Sequence, residues 1–365
     1  MISKAHSAPL KTTYIRSPEM NPKVVIIVNS LRGGGAENAM AALNQGLNLG
    51  KYSAILIGIN SCPKTVHPKT LDNEIDIGRE HLSKFRHTLE SFFIFKKTLK
   101  DIEPNALIVN CDLPELFAAM LLGQYKTIVV EHSSLPWAGR RILGKTVRWL
   151  LKQSDVSFVS ISTKIDVWLD PSLGPKVLEN LIPKQELDLT NRGIGSEPRL
   201  IFMGRLENQK CPQMFLEIQS KLDIPALVIG DGRLRQDLEQ SSAARNLDID
   251  FKGFQQNPWS FVGQEDYLVI TSIFEGKPLV ILEGLALGIK IFARDIPELH
   301  EEFKNYPIIF CANIEDFVNK ISLERRLNNS GNDSLSGSRF DIEKHNRQAL
   351  ESWTKYLDET LISLD

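Results

Sequence analysis

The sequence predicts two Rossmann-like, doubly wound α/β domains in tandem, facing each other across a cleft. Three observations carry that prediction. Short β-branched runs alternate with helix-length segments from Lys23 onward, the order that βαβ units and parallel sheets impose. The runs are near-continuously apolar, as in KVVIIVN at Lys23–Asn29, which suits strands buried on both faces. The alternation breaks once, at a polar stretch with Pro, Gly and Asn from about Ile182 to Pro198, so a chain of 365 residues divides into two units.

Taken in order, residues 1–22 form a loose tail without an apolar core, unlike a signal peptide. The first domain is expected over 23–182, with strands at 23–29, 53–59, 106–111, 127–132, 156–162 and 176–180. The helix after the first strand carries Ala36, Met40, Leu43 and Leu47 on one face and stops at Gly50. Further helices are expected near 88–102, 114–122 and 140–153. The second domain, 183–345, is predicted to have strands at 200–203, 226–229, 249–252, 267–272, 290–293 and 307–310. Helices near 211–222, 233–246, 278–287 and 314–327 fill its gaps, and NNSGNDSLSGS at 328–338 reads as a surface loop. A last helical segment, 341–363, carries Trp353, Tyr356, Leu357 and Leu361.

Composition narrows the function. A net charge of −2 argues against a dedicated nucleic-acid binder. Four scattered cysteines suggest neither zinc nor a disulfide framework, and a reducing cytoplasm is the default location. No apolar run is long and clean enough to cross a bilayer.

Chemistry concentrates where strands end, because ligands of doubly wound sheets sit beyond the carboxyl ends of their strands. Thr271–Glu283 (TSIFEGKPLVILE) reads as a strand, a turn and a helix with Pro278 in its first turn. That helix is apolar almost all round, yet Glu283 sits inside it and Glu275 on the turn before it. Carboxylates in such company are costly unless a polar partner meets them. In the same place of the second domain's first unit lies Gly204-Arg-Leu-Glu-Asn-Gln-Lys210. Arg205 and Lys210 there can converge on one anion, one as a planar fork and the other as a point charge; two solvated cations satisfy the pattern as well. Gly33-Gly34-Gly35 lets a helix N-terminus approach an anion or sugar, although a plain tight turn needs the same residues. It matches neither a dinucleotide fingerprint nor a P-loop. His132 ends a strand and is expected at the cleft, although a histidine that caps the strand through hydrogen bonds fits the pattern as well, and Glu131 is expected to point the other way.

Two basic clusters stand apart from the cleft. Arg140, Arg141, Lys145, Arg148 and Lys152 recur at spacings of three and four beside Trp149, and Lys84, Arg86, Lys96, Lys97 and Lys100 flank Phe92, Phe93 and Phe95. Peripheral contact with an anionic membrane, at the cytoplasmic face of an inner membrane, is one reading of such helices. A solvated helix face is the other.

The motifs GGGAEN, GRLENQK and VIGDGRLRQDLE, with the Glu-x7-Glu pair of FEGKPLVILEGLALG, together resemble the GT-B retaining glycosyltransferases of family 4 (glycosyltransferase group 1). The resemblance runs from Lys23 over almost the whole chain. It implies a GT-B fold in which the C-terminal helix, 346–365, crosses back onto the first, acceptor-binding domain. It implies a donor site for a nucleotide diphosphate sugar, with Arg205 and Lys210 on the diphosphate and Gly204 beside them. Glu275 would read the sugar hydroxyls and Glu283 the ribose. The backbone of Gly276, Lys277, Pro278 and Leu279 would face sugar and phosphate, and Gly253 and Phe254 the base. His132 would touch the transferred sugar, with Gly34 and Gly35 on the opposite wall. No cofactor and no metal is implied, and the acceptor is a saccharide or lipid-linked saccharide of surface-polysaccharide assembly. A nucleotide-sugar 2-epimerase of the same fold and a non-catalytic nucleotide-sugar binding module are the alternatives. A nicotinamide-dependent dehydrogenase fails on the missing fingerprint.

Overall fold

The computed structural model describes residues 21–31, 34–60, 73–79, 85–110, 112–132, 137, 139–154, 156–162, 176–183, 189–190, 197–329 and 340–362. The expected tail up to residue 20, Gly33, Cys62, Lys84, Cys111, most of the connector and the loop at 330–339 lie outside them, as does the side chain of Arg86.

The first sheet is seven-stranded and parallel, built from β1 (Lys23–Val28), β2 (Ser53–Asn60), β3 (Glu74–Arg79), β4 (Ala106–Asn110), β5 (Thr127–Glu131), β6 (Val156–Ser160) and β7 (Lys176–Val177) in the spatial order 3-2-1-4-5-6-7. Its two faces follow from the strand period of two. On β1, Val24, Ile26 and Val28 pack under α1 (Gly35–Asn48). Val25 and Ile27 pack on the other side, with residues of α2 (Phe85–Ile102), α3 (Leu113–Met120) and α4 (Arg141–Lys152). Strand β3 (EIDIGR) escapes the sequence pattern because it is an edge strand that carries charge at Glu74, Asp76 and Arg79.

The second sheet holds β8 (Leu200–Met203), β9 (Ala226–Ile229), β10 (Ile249–Gly253), β11 (Tyr267–Ile270), β12 (Lys290–Arg294) and β13 (Ile308–Cys311), again all parallel, in the order 10-9-8-11-12-13. Helices α5 (Pro212–Leu222), α6 (Arg235–Ala244), α7 (Leu279–Leu287), α8 (Pro297–Phe303) and α9 (Ile314–Asn329) flank it. The sequence pattern did not reveal α8, whose seven residues are too few to show a helical period. Pro278 is the N-cap of α7, with extended backbone, and the helix proper begins at Leu279; Gly288 closes it with φ 72°. The final helix, α10 (Ile342–Ile362), starts against the second domain through Ile342 and then returns to the first. There Ala349, Trp353 and Leu357 join the β1 core, and the Trp353 indole donates to the Glu179 carbonyl at 3.0 Å.

Each sheet reverses its strand order once, between β1 and β4 and between β8 and β11. Those switch points open the crevices in which such sheets bind ligands. The segments singled out in the sequence leave the sheets there: residues 34–35 follow β1, 204–210 follow β8 and 271–278 follow β11.

Candidate active site

The loops after β8 and β11 are tied together before any side chain meets a ligand. The Ile273 amide donates to the Gln209 carbonyl at 2.8 Å, and the Thr271 hydroxyl to the Lys210 carbonyl at 2.7 Å. Gln209 reaches the Phe274 carbonyl at 3.1 Å. The β8 loop also rests on the loop after β9, in backbone contact. Gly230, at φ 142°, has no room for a side chain, since a Cβ there would run into the Gly204 carbonyl. That close approach is the physical reason for the first glycine of VIGDG.

On this base Lys210 and Glu275 meet. The Lys210 ammonium lies 2.5 Å from Glu275 Oε1, which also accepts from the Ser272 hydroxyl at 2.5 Å. The lysine stem runs over Gly204. The two expected cations therefore do not converge as a pair in this state. Lys210 is held by the carboxylate, whereas Arg205 is exposed and, among the described residues, hydrogen-bonds Gln209, at 3.4 Å. Arg205 instead exerts its charge across the cleft on Glu37, in the first turn of α1. Burial pushes the Glu37 carboxyl up, opposed by a backbone hydrogen bond, by Arg205 and by Asn29. Glu37 was not singled out from the sequence; its signal is an acidic residue in the first turn after a glycine run.

Glu283 lies one turn inside α7. The indole of Trp259, wholly buried in a 3-10 turn after β10, donates to Glu283 Oε2 at 2.8 Å. Burial raises the pKa of this carboxyl, with the Trp259 bond pulling the other way. Trp259 and Ser272 are the orienting partners that sequence reasoning missed. Gly253 ends β10 at φ 70°, with Arg235 packed where a Cβ would stand, and Phe254 beside it is exposed. Gly276, Pro278 and Leu279 are buried. Gly35 of the first domain faces the Leu279 side chain, so the two domains touch at this loop. The Lys277 side chain is engaged elsewhere, 2.8 Å from both Glu179 and Glu302.

His132 follows β5 at the cleft. It is half-buried, and the desolvation of its ring pushes its pKa down to about 3, so the ring is neutral. Asn180 Nδ2 lies 3.4 Å from His132 Nδ1. With the amide nitrogen of Asn180 turned to the ring, Nδ1 accepts and the neutral ring carries its proton on Nε2, an orientation that leaves Asn180 Oδ1 without a hydrogen-bond partner among the described residues. Among the described residues Nε2 has no hydrogen-bond partner.

Glu131 points away from the cleft, as strand alternation requires, but its partner corrects the reading of the basic helix. Arg148 is 4% exposed. It bonds Glu131 at 2.5 Å and Glu115 at 2.8 and 3.0 Å, and the Trp137 indole also donates to Glu115. Arg148 is therefore a core ion-pair residue, on the helix face of Gly144, Val147 and Leu151. Among the described residues no cluster of His, Cys, Asp or Glu could hold a metal ion. The Asp-x-Asp at Asp248–Asp250 sits where β10 begins, at the opposite end of the strand from the site, and Lys252 pairs with Asp250.

Comparison with solved structures identifies the class as GT-B. Sucrose-phosphate synthase from Thermosynechococcus elongatus superimposes with a TM-score of 0.71 at 14% identity, over 94% of this chain and 100% of the other. Anabaena Alr3699/HepE in complex with UDP-glucose gives 0.71 at 15%, over 91% and 99%. Residues 185–349 match the family model for glycosyl transferases group 1. An N-acetylgalactosaminyltransferase of Campylobacter jejuni, which by its name acts on GalNAc-alpha-(1->4)-GalNAc-alpha-(1->3)-diNAcBac-PP-undecaprenol, is 26% identical over 280 residues, 72% of this chain and 76% of the relative. Lipopolysaccharide 1,6-galactosyltransferase of Escherichia coli is 36% identical over 114 residues, 28% of this chain and 31% of the relative.

Proposed function

We propose that this glycosyltransferase moves a hexose or N-acetylhexosamine from a UDP- or GDP-sugar to a saccharide or lipid-linked saccharide in bacterial surface-polysaccharide assembly. It does so with retention of anomeric configuration and without a metal ion. The observation that carries the reading is the grouping of Lys210, Glu275 and Ser272 at one switch point, with Glu283 one turn into the following helix and the Nε2–H of His132 on the first domain. The names of the relatives support the acceptor class.

In this reading the donor diphosphate takes Lys210 from Glu275 and draws in Arg205, which meets Gln209 at 3.4 Å. Charge grows on the departing phosphate as the sugar–phosphate bond stretches. Cations and the N-terminus of α7, fixed beforehand, stabilise it; one such group typically contributes ~10²–10³ in rate. Released from Lys210, Glu275 keeps the Ser272 bond and accepts from sugar hydroxyls. Glu283, oriented by Trp259, accepts from the ribose. His132 Nε2–H donates to the transferred sugar. Glu275 and Glu283 therefore have separate ligands and do not form an acid–base couple. The acceptor attacks the face that the phosphate leaves, and the phosphate takes its proton.

Helix α4 gives the first domain a lipid-facing surface. With 100° per residue, Gly144, Val147, Arg148 and Leu151 fill the inward sector. Ile142, Leu143, Trp149 and Leu150 fill the outward one, at 85% exposure for Ile142 and 61% for Trp149. Arg141, Lys145 and Lys152 lie along one edge between the two. An apolar ridge with a basic edge suits an anionic bilayer surface. The deciding experiment incubates the protein with labelled UDP- and GDP-sugars, a lipid-linked saccharide and EDTA, and reads product anomeric configuration by NMR. Transfer with retention is expected. Interconversion of free donor would support the epimerase instead, and binding without turnover the non-catalytic module.

A further inference from the structure

A two-residue segment of the first domain holds both halves of the site at once. Glu179 and Asn180 follow β7, between Leu178 and Leu181, which are buried in the first domain's core. Glu179 Oε1 receives the Lys277 ammonium at 2.8 Å, from the loop that carries Glu275. Its neighbour Asn180 approaches His132 Nδ1 at 3.4 Å. The C-terminal helix fixes the segment in place. His345 Nδ1 lies 3.1 Å from Glu179 Oε2, and its Nε2 lies 2.9 Å from the Asn180 carbonyl. Asn346 bonds both the amide and the carbonyl of Ile182 at 2.8 Å. A second bridge between the domains runs in parallel. Lys277 also reaches Glu302 of α8 at 2.8 Å, and Glu302 accepts from Ser162, beyond β6, at 3.1 Å.

From this geometry we propose that Glu179 and Asn180 are positioning residues that couple domain closure to His132. Glu179 clamps the donor loop through Lys277, while Asn180 holds the imidazole as its Nε2–H tautomer. The proposal rests on the glycosyltransferase reading for its consequence in rate, but the coupling itself is a property of the protein alone. It accounts for two facts that donor binding leaves aside. The Lys277 side chain, inside the donor motif, is spent on two carboxylates. Nδ1 of His132 is capped while Nε2 is left open.

Coupling of this kind has a direct cost when broken. A small misplacement of a reacting group costs up to about 10² in rate. Lys277→Met removes the clamp and leaves every proposed donor contact in place. Asn180→Asp keeps the side-chain volume but offers Nδ1 only acceptors, so Nδ1 must become protonated.

The test uses full-length protein with ¹⁵N-labelled histidine, whose ring shifts report which nitrogen carries the proton, alone and with UDP as probe. In the wild type His132 is expected with Nδ1 bare and Nε2 protonated. In Asn180→Asp, Nδ1 is expected protonated, with kcat lowered about tenfold or more and donor KM changed less. Lys277→Met is expected to lower kcat by about ten- to a hundredfold and to enlarge the radius of gyration in solution scattering, and Lys277→Arg to restore both. A wild-type His132 protonated on Nδ1 would overturn the proposal. So would an Asn180→Asp variant whose Nδ1 stays bare, or a Lys277→Met variant with wild-type kcat and wild-type dimensions. Should Asn180→Asp not fold, Asn180→Ala with the same NMR reading decides the tautomer half. If the wild type transfers no sugar at all, the functional reading fails, while the tautomer and the scattering still decide the coupling.

Discussion

Replacing Lys210 by alanine should damage the protein in two separable ways. The ammonium lies 2.5 Å from Glu275 Oε1, with the lysine side chain 18% exposed and the glutamate 6%. Removing it leaves a buried carboxylate with only Ser272 to bond it. Breaking such a pair from one side costs about 3–5 kcal/mol of stability. At 2–4 °C per kcal/mol for a domain of 150–250 residues, that lowers the melting temperature by on the order of 10 °C. In catalysis the same deletion removes a preorganised cation from the departing diphosphate, an expected loss of ~10²–10³ in kcat.

The double variant Lys210→Ala/Glu275→Gln separates the two effects. It removes the unpaired charge along with its partner, so the melting temperature should recover most of its loss while turnover stays low. The two stability changes are therefore strongly non-additive, as expected of residues in direct contact. Thermal scans give the first quantity, and release of nucleoside diphosphate at saturating donor gives the second. Near-normal turnover by Lys210→Ala would remove Lys210 from the reaction. A double variant as unstable as the sum of its singles would show that the pair is not the buried unit described above.

Other expectations are as specific. Glu283 has a carboxyl raised by burial, so it favours the folded state most when protonated, and that stability is lost as pH rises from the ordinary carboxylate range through the raised value. Glu283→Gln should stabilise the protein at neutral pH and flatten this part of the profile, yet weaken donor binding about tenfold through the loss of a charged hydrogen bond; parallel profiles for variant and wild type in pH-dependent thermal scans would refute it. Trp149→Ala and Ile142→Ala should weaken sedimentation with anionic vesicles, and charge reversal at Arg141 and Lys145 should do the same in a salt-dependent way. Binding indifferent to all four would remove α4 from the membrane. Arg148→Met removes the cation from between Glu115 and Glu131 and should cost about 3–5 kcal/mol in urea unfolding, and a loss within the range of ordinary surface substitutions would contradict its place in the core.

What could be seen in the sequence follows a physical division. The central strands announced themselves because both their faces are buried, so that Val24 to Val28 allow no polar residue. Strand β3 did not, because an edge strand keeps charge at Asp76 and Arg79. In the site, Glu275, Glu283, Arg205 and Lys210 stood out as polar residues at strand ends or inside an apolar helix, a local contradiction that a linear reading can detect. Their partners stayed hidden because they are remote in sequence. Trp259 is 24 positions from Glu283, and Asn180 is 48 from His132.

Arg148 shows the same limit from the other side. Its spacing from Arg141, Lys145 and Lys152 makes a basic stripe on paper, yet a helix advances 100° per residue and turns position 148 toward Gly144 and Leu151. Whether a cation there snorkels out or stays in depends on carboxylates that the helix itself does not contain. Glu115 and Glu131 supply them from 33 and 17 positions away. Lys277 repeats the lesson in the loop after β11, where its ammonium is taken by Glu179, 98 positions earlier. A buried or half-buried charge is thus defined by its partner, which for Arg148 lies in the same domain and for Lys277 in the other.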